Sequence, residues 1–142
     1  MKPENELTME FLSRSCNEAF ARAAVGAFIA PMDPNLEELS DIKTAVSEAV
    51  TNCIVHAYPE KCGGITLNCR VYEDRTVEIM VADKGVGIPD VTAAREPMFT
   101  TGGQDRSGMG FTIMEKFMSS LQVESQMGKG TTVLMTRKLQ KP

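Results

Sequence analysis

From Leu36 to Ala57, apolar residues recur at spacings of three and four: Leu36, Leu39, Ile42, Val46, Ala49, Cys53 and Ala57. That period puts them on one side of a helix. Asp33-Pro34 ahead of the run supplies an N-cap and a first-turn proline, and Tyr58-Pro59 closes it. The spacing predicts a helix of ~37 Å at 1.5 Å per residue, the longest element in the chain.

The other segments read as shorter elements around it. Leu7, Met9 and Phe11 alternate with polar residues, the period of a half-buried strand. Ser15 and Glu18 have the spacing of a capping box opening a helix, with Phe20, Ala24 and Phe28 on one face and a stop near Pro31. Beyond Cys62-Gly63-Gly64, Ile65, Leu67, Cys69 and Val71 alternate, as do Val77, Ile79 and Val81 after the charged turn Glu73-Asp74-Arg75; so short a connection predicts an antiparallel hairpin. A glycine-rich irregular region runs from Asp83 to Gly110, and Phe111, Met114, Phe117 and Met118 form the apolar face of a further helix. Two last strands, Leu121 to Gln126 and Thr131 to Lys138, flank the turn Met127-Gly128-Lys129-Gly130. Strands and helices segregated in this way predict an α+β fold, a two-layer sandwich with a mostly antiparallel sheet covered on one face by helices.

At 142 residues, with no repeat or long linker, residues 1–142 are expected to form a single domain. The composition, 42% hydrophobic and 24% charged, is that of a soluble globular protein. A formal charge of -4 without a basic run argues against direct nucleic-acid binding through phosphates. The longest apolar stretch, Ala23 to Met32, is too short for a bilayer, and Met1-Lys-Pro-Glu-Asn-Glu lacks the charged-then-apolar order of a signal peptide. The expectation is a cytoplasmic protein with no membrane partner. That compartment disfavours disulfides among Cys16, Cys53, Cys62 and Cys69, and the apolar-periodic Cys53 and Cys69 read as buried structural thiols.

Three features stand where packing alone does not require them. Glu48, Asn52 and His56 follow each other at steps of four, so they form a polar row with ~6 Å of rise between neighbours. A carboxylate and an amide in such a row suit a water and a hydrated Mg²⁺, which takes oxygen ligands. Asp83-Lys84-Gly85-Val86-Gly87 follows a strand, where glycines allow positive φ and close backbone approach to a flat ligand, and the carboxylate can accept from an amino group. Arg106-Ser107-Gly108-Met109-Gly110 runs into a helix, whose first N–H groups favour anions. Each feature has a plain structural counterpart: a solvated helix face, a glycine-rich turn, an N-cap serine beside glycines.

Taken in order, with Gly128-Lys129-Gly130-Thr131-Thr132 after them, these segments resemble the boxes of the GHKL ATP-binding superfamily of gyrase and histidine kinases. A closer resemblance covers nearly the whole chain. Asn17-Glu18-Ala19-Phe20-Ala21-Arg22, the run from Asp41 to Asn52, Pro97-Met98-Phe99-Thr100-Thr101 and the run from Arg106 to Glu115 are similar to the anti-sigma F factors of endospore-forming bacteria. These are small ATP-dependent serine kinases that also sequester a sporulation sigma factor.

The resemblance implies the GHKL fold, ATP/ADP and Mg²⁺ as cofactors, and a role for each matching residue. Glu48 is implied as catalytic base, Asn52 as Mg²⁺ ligand and Asp83 as the acceptor for the adenine amino group, with Gly85 and Gly87 shaping that pocket and Thr131 supporting its adenine end. Arg106, Ser107, Gly108, Met109 and Gly110 are implied to meet the phosphates, Arg106 catalytically. Glu18 and Arg22, an i,i+4 pair, match positions that dock partners. The implied partners are a sporulation sigma factor, an anti-anti-sigma protein carrying the substrate serine, and a second copy of the chain in a homodimer. The stretch Thr101 to Arg106 is one residue shorter than the family's usual Lys-Pro-containing segment and carries glycines instead.

Two other kinases of related fold compete with this reading. A general-stress anti-sigma kinase is the nearer one, but the Phe-Thr-Thr and Ser-Gly-Met-Gly-Phe segments favour the sporulation type. A stand-alone histidine-kinase catalytic domain needs a phosphoacceptor histidine on a dimerisation helix, whereas His56 falls in the polar row.

Overall fold

The computed structural model describes residues 2–96 and 110–141. Strands β1 (Asn5–Leu12), β2 (Gly64–Val71), β3 (Thr76–Asp83), β4 (Ser120–Gln126) and β5 (Gly130–Lys138) form one sheet in the order β1-β2-β3-β5-β4, every neighbouring pair antiparallel. The α-helices among the described residues are α1 (Cys16–Ile29), α2 (Leu36–Asn52), the single turn α3 (Val91–Ala94) and α4 (Gly110–Phe117). This is the α+β sandwich that the alternation and its segregation predict. Among the described residues, no helix is long and apolar enough to cross a membrane.

Period-two alternation builds the core layer directly. Register pairs Leu67 with Val81, Cys69 with Ile79, Ile79 with Met135 and Val81 with Val133, and all of these side chains are buried. They meet Val25 and Ile29 of α1, Ile42, Val46 and Val50 of α2, and Met114 of α4 in one hydrophobic cluster. The alternate positions carry polar pairs instead: Asn68 Nδ2 donates to Glu6 Oε2 at 2.9 Å and to Thr8 Oγ1 at 2.8 Å, and Arg70 bridges Glu6 and Glu78. One sheet face is therefore dry, and the other carries these polar pairs together with the Met80–Leu134 pair of β3 and β5.

Three local expectations are corrected. Ser15 has helical dihedrals (φ -58, ψ -31) and no side-chain cap hydrogen bond, so its hydroxyl does not close a box with Glu18; that carboxylate pairs with Arg22 at 3.2 Å. The buried stripe of α1 is Ala21, Val25 and Ile29, one position along from Phe20, Ala24 and Phe28, and Phe20 is 54% exposed, edge-on to Phe11. Asp33 turns left-handed (φ 55) after the 3₁₀ turn Ala30–Met32, which moves the cap of α2 to Asn35. There a full capping box forms: Glu38 N–H donates to Asn35 Oδ1 at 2.7 Å, and Asn35 N–H donates to Glu38 Oε1 at 2.9 Å. Leu36, the first residue of the predicted stripe, is consequently 85% exposed.

Glu38 is the buried charge of the described core, 3% exposed. Burial works to raise its pKa, but N–H donors from Asn35 and Gln140 and the charges of Arg137 and Arg75 outweigh it and hold the carboxyl below its usual value. Gln140 N–H, donating to Glu38 Oε2 at 2.7 Å, ties the C-terminal segment to the start of α2, and Arg75 Nε, donating to the Gln140 carbonyl at 2.9 Å, ties it to the turn between β2 and β3.

A fourth correction bears on the site. The long helix does not reach Tyr58 in α-form: α2 ends at Asn52, and residues Cys53–Ala57 form a π-helical turn. The wider i→i+5 winding changes which side chains share a face at the C-terminal end of the element.

Candidate functional site

The π turn faces a cleft of about 590 Å³. Its walls are the end of α2 (Glu48, Asn52), the turn itself (Cys53, Val55, His56, Ala57), the segment after β3 (Asp83, Val86, Gly87, Ile88), the first residues of α4 (Gly110, Phe111) and the start of β5 (Thr131, Val133). The three members of the polar row thus line one cavity with Asp83 and Thr131, although they come from different parts of the chain. The volume is that of a small-molecule site.

Backbone-to-backbone contact explains why the helix widens here. The Val86 N–H donates to the Ala57 carbonyl at 2.9 Å, and a Cβ on Gly85 would stand 2.2 Å from that same oxygen. Only glycine lets the post-β3 segment come this close. Tyr58 fixes the other side: its hydroxyl accepts from Lys84 N–H and donates to the Gly64 carbonyl, both at 2.8 Å. Gly85 is buried behind the cleft wall, so its sequence-derived role in shaping the pocket is exerted through Ala57. Gly87 does line the cleft; its φ of +84 and the 2.5 Å between a built Cβ and the Gln126 carbonyl both require glycine.

Asp83 is held by its surroundings. Its Oδ1 accepts from Gly85 N–H at 2.9 Å and Thr131 N–H at 3.2 Å. Gly130, with φ +116, makes the second bond possible, because a Cβ there would stand 2.1 Å from the Asp83 carbonyl. The carboxylate keeps acceptor capacity for a donor in the cleft. Behind it lies Cys53, whose thiol is pushed well above its ordinary pKa by burial and then by the Asp83 charge and hydrogen bond, so it stays protonated. Cys69 is pushed up to about 12, chiefly by burial, in agreement with structural thiols at both positions. Thr131 reaches Ser125 Oγ through its hydroxyl at 2.8 Å, and Ser125 Oγ also accepts the Ile88 N–H at 2.7 Å, which links the rim of the cleft to the β4–β5 turn.

At the opposite end, Gly110 opens α4 against the polar row. A Cβ built on it would lie 3.3 Å from both Glu48 Oε2 and Asn52 Oδ1, so two oxygen donors converge on the first turn of the helix. The described residues contain no cluster of three or more His, Cys, Asp or Glu able to hold a metal ion alone. Two hard oxygens beside a helix N-terminus fit Mg²⁺, which keeps waters and takes further ligands from phosphates. Arg106, Ser107, Gly108 and Met109 lie outside the described residues, as do Pro97 to Thr101. Glu18 and Arg22 sit apart from the cleft on α1; Arg22 Nη1 also reaches Ser47 Oγ of α2 at 3.5 Å.

Several lining residues were not singled out in sequence. Cys53 and Phe111 carry only an apolar-period signal, and Val55 and Ile88 none beyond hydrophobicity.

The histidine kinase-like ATPase domain model matches residues 14–137. An anti-sigma F factor of Caldanaerobacter subterraneus subsp. tengcongensis is 53% identical over 138 residues, covering 96% of each chain. One from Pasteuria penetrans is 55% identical over 138 residues, covering 96% of this chain and 92% of the relative. In three dimensions the chain is similar to the crystal structure of the RsbU and RsbW domains of a Mycobacterium tuberculosis protein, with a TM-score of 0.72 and 22% identity over 99% of this chain and 34% of that one. At that identity the likeness speaks for the fold.

Proposed function

The chain belongs to the anti-sigma F factors, within the histidine kinase-like ATPase domains, and on that premise we propose that it is an ATP-dependent anti-sigma factor and a protein-serine kinase. It binds and inhibits a sporulation sigma factor, and it inactivates the anti-anti-sigma antagonist by phosphorylating a serine. The observation that carries this reading is the two-ended cleft: a fixed acceptor at Asp83 and two oxygens, from Glu48 and Asn52, converging on the first residue of α4.

Asp83 takes a hydrogen bond from the adenine amino group, and Thr131 closes that end. Asn52 would hold Mg²⁺, which would offset phosphate charge. Arg106 and the N–H groups of Ser107 to Gly110 receive the phosphates, and Glu48 accepts the proton of the attacking serine hydroxyl. Phosphoryl transfer needs chiefly such positioning and charge stabilisation. Labelled ATP incubated with the pure protein and an anti-anti-sigma protein from an endospore former is expected to label one serine of that protein. Label on histidine, or none, overturns the kinase reading.

Glu18 and Arg22 form the partner-docking pair on α1. A homodimer is part of the same proposal: β1 is an edge strand, and Leu12 at its end and Phe20 of α1 are 51% and 54% exposed. Sedimentation at micromolar concentration is expected to give a dimer, and Phe20→Glu a monomer that still binds ATP. A parent monomeric at every concentration removes the dimer and leaves the catalytic reading intact.

A further inference from the structure

Besides the apolar packing between helices α2 and α4, polar groups meet at both ends of the pair. One is the cleft, where Gly110 meets Glu48 and Asn52. The other lies toward the opposite end of α4: Nη1 of Arg137, on β5, donates to Asp41 Oδ2 of α2 at 2.8 Å and also to the carbonyl of Phe117, the last residue of α4. The Asp41 and Arg137 side chains are 15% and 20% exposed, so the pair is well screened from water.

The lengths on the two helices match. Asp41 to Glu48 and Gly110 to Phe117 are each seven residue steps, or about 10 Å of helix. The two helices therefore act as rails, with the Arg137 contact as one rung and the cleft as the other. Phe111 and Met114 bury one face of α4 and Glu115 pairs with Arg95, but apolar packing is non-directional, and the helix's terminal carbonyls need partners. A guanidinium at that end satisfies one of them and favours the helix dipole. Lys116, the basic residue of the last turn, lies 5.7 Å from the Phe117 ring centroid.

We infer that Arg137, with Asp41, is a positioning residue for the polyphosphate end of the cleft: it sets how far Gly110 stands from Glu48 and Asn52. The inference rests on the proposed nucleotide function. Since a Cβ built on Gly110 would stand only 3.3 Å from the Glu48 and Asn52 oxygens, a small slide of α4 alters the spacing that phosphate oxygens must meet. The Asp83 end is built on β3, the π turn and the start of β5 at Thr131, six residues along the strand from Arg137.

The test compares Mg·ATP with adenosine, which probes the base end alone, by calorimetry on the intact protein. Arg137→Met keeps the aliphatic stem and removes the donors. It is expected to weaken ATP by about tenfold relative to adenosine, within the range of coupling carried by packed elements. Arg137→Lys, which keeps a charge and donors, is expected to restore part of the ratio. Asp41→Asn provides a second route should Arg137→Met fail to fold, and it should shift the ratio the same way by less. A purely structural role would lower the melting temperature and weaken both ligands equally; that result, or an unchanged ratio in the folded variants, overturns the inference. A parent that binds adenosine and ATP equally well overturns the nucleotide reading beneath it.

Discussion

Asp83→Asn is expected to reduce ATP affinity by one to two orders of magnitude while leaving the fold in place. The replacement has the same shape but exchanges one acceptor oxygen for a donor. If the amide oxygen stays toward Gly85 and Thr131, whose N–H groups both point at Oδ1, the amide nitrogen faces the adenine amino group, donor against donor. If the amide turns over, two backbone N–H groups lose their acceptor within a buried part of the fold. No orientation satisfies all three, and leaving one such group unpaired costs about 1–3 kcal/mol, or roughly 5- to 150-fold in affinity. Calorimetry on the variant, with circular dichroism to show that it is folded, gives the answer. Unchanged affinity removes Asp83 from the site. A companion loss of selectivity for adenine over hypoxanthine nucleotides is expected, because the two bases differ in the group that would face this carboxylate.

The strand layer was legible because its cause is local. Alternation from Ile65 to Val71 and from Val77 to Val81 places every second side chain on one face whatever the rest of the chain does. Helix starts were less legible, since a cap depends on the dihedrals of one residue. Asp33 and Asn35 both carry cap-forming side chains, and the left-handed turn at Asp33 after Pro31 decides between them. On α1 both Phe20–Ala24–Phe28 and Ala21–Val25–Ile29 have helical spacing. The smaller stripe is buried against the sheet and α2, while Phe20 finds the ring of Phe11.

The site was legible in its ends and not in its middle. Glu48, Asn52, Asp83 and Gly110 are polar or flexible where packing asks for neither, and the fold gathers all four around one cleft. The π turn between Asn52 and Tyr58 has no local signature, because its partners are Val86 and Gly85, far along the chain. Reading the row Glu48–Asn52–His56 as straight α-helix gave the right membership for a geometry that changes halfway. Cys53 shows the same limit from the other side: its apolar spacing correctly indicated burial, but only the approach of β3 puts Asp83 against its sulfur.

Glu48→Gln is expected to separate catalysis from sequestration. Glutamine nearly matches glutamate in size, so the contact with Gly110 and the first turn of α4 is preserved, but its amide cannot take the proton of a serine hydroxyl. General-base assistance contributes ~10²–10⁴-fold, and phosphorylation of the anti-anti-sigma protein should fall by that factor. Mg·ATP affinity should change little, because Asp83 and the amide oxygen of Asn52 are untouched and glutamine keeps one oxygen beside Gly110. Sigma inhibition should also survive, since in the proposed function it rests on the ATP-bound shape and the α1 surface around Glu18 and Arg22, not on a transition state. The three readouts are partner phosphorylation, nucleotide affinity and transcription by purified polymerase. Parental phosphorylation by Glu48→Gln would remove Glu48 as the base. Loss of sigma inhibition with fold and ATP binding intact would mean that this carboxylate, one residue beyond the Ser47 that touches Arg22, also governs the docking surface, and that the two activities share a single switch.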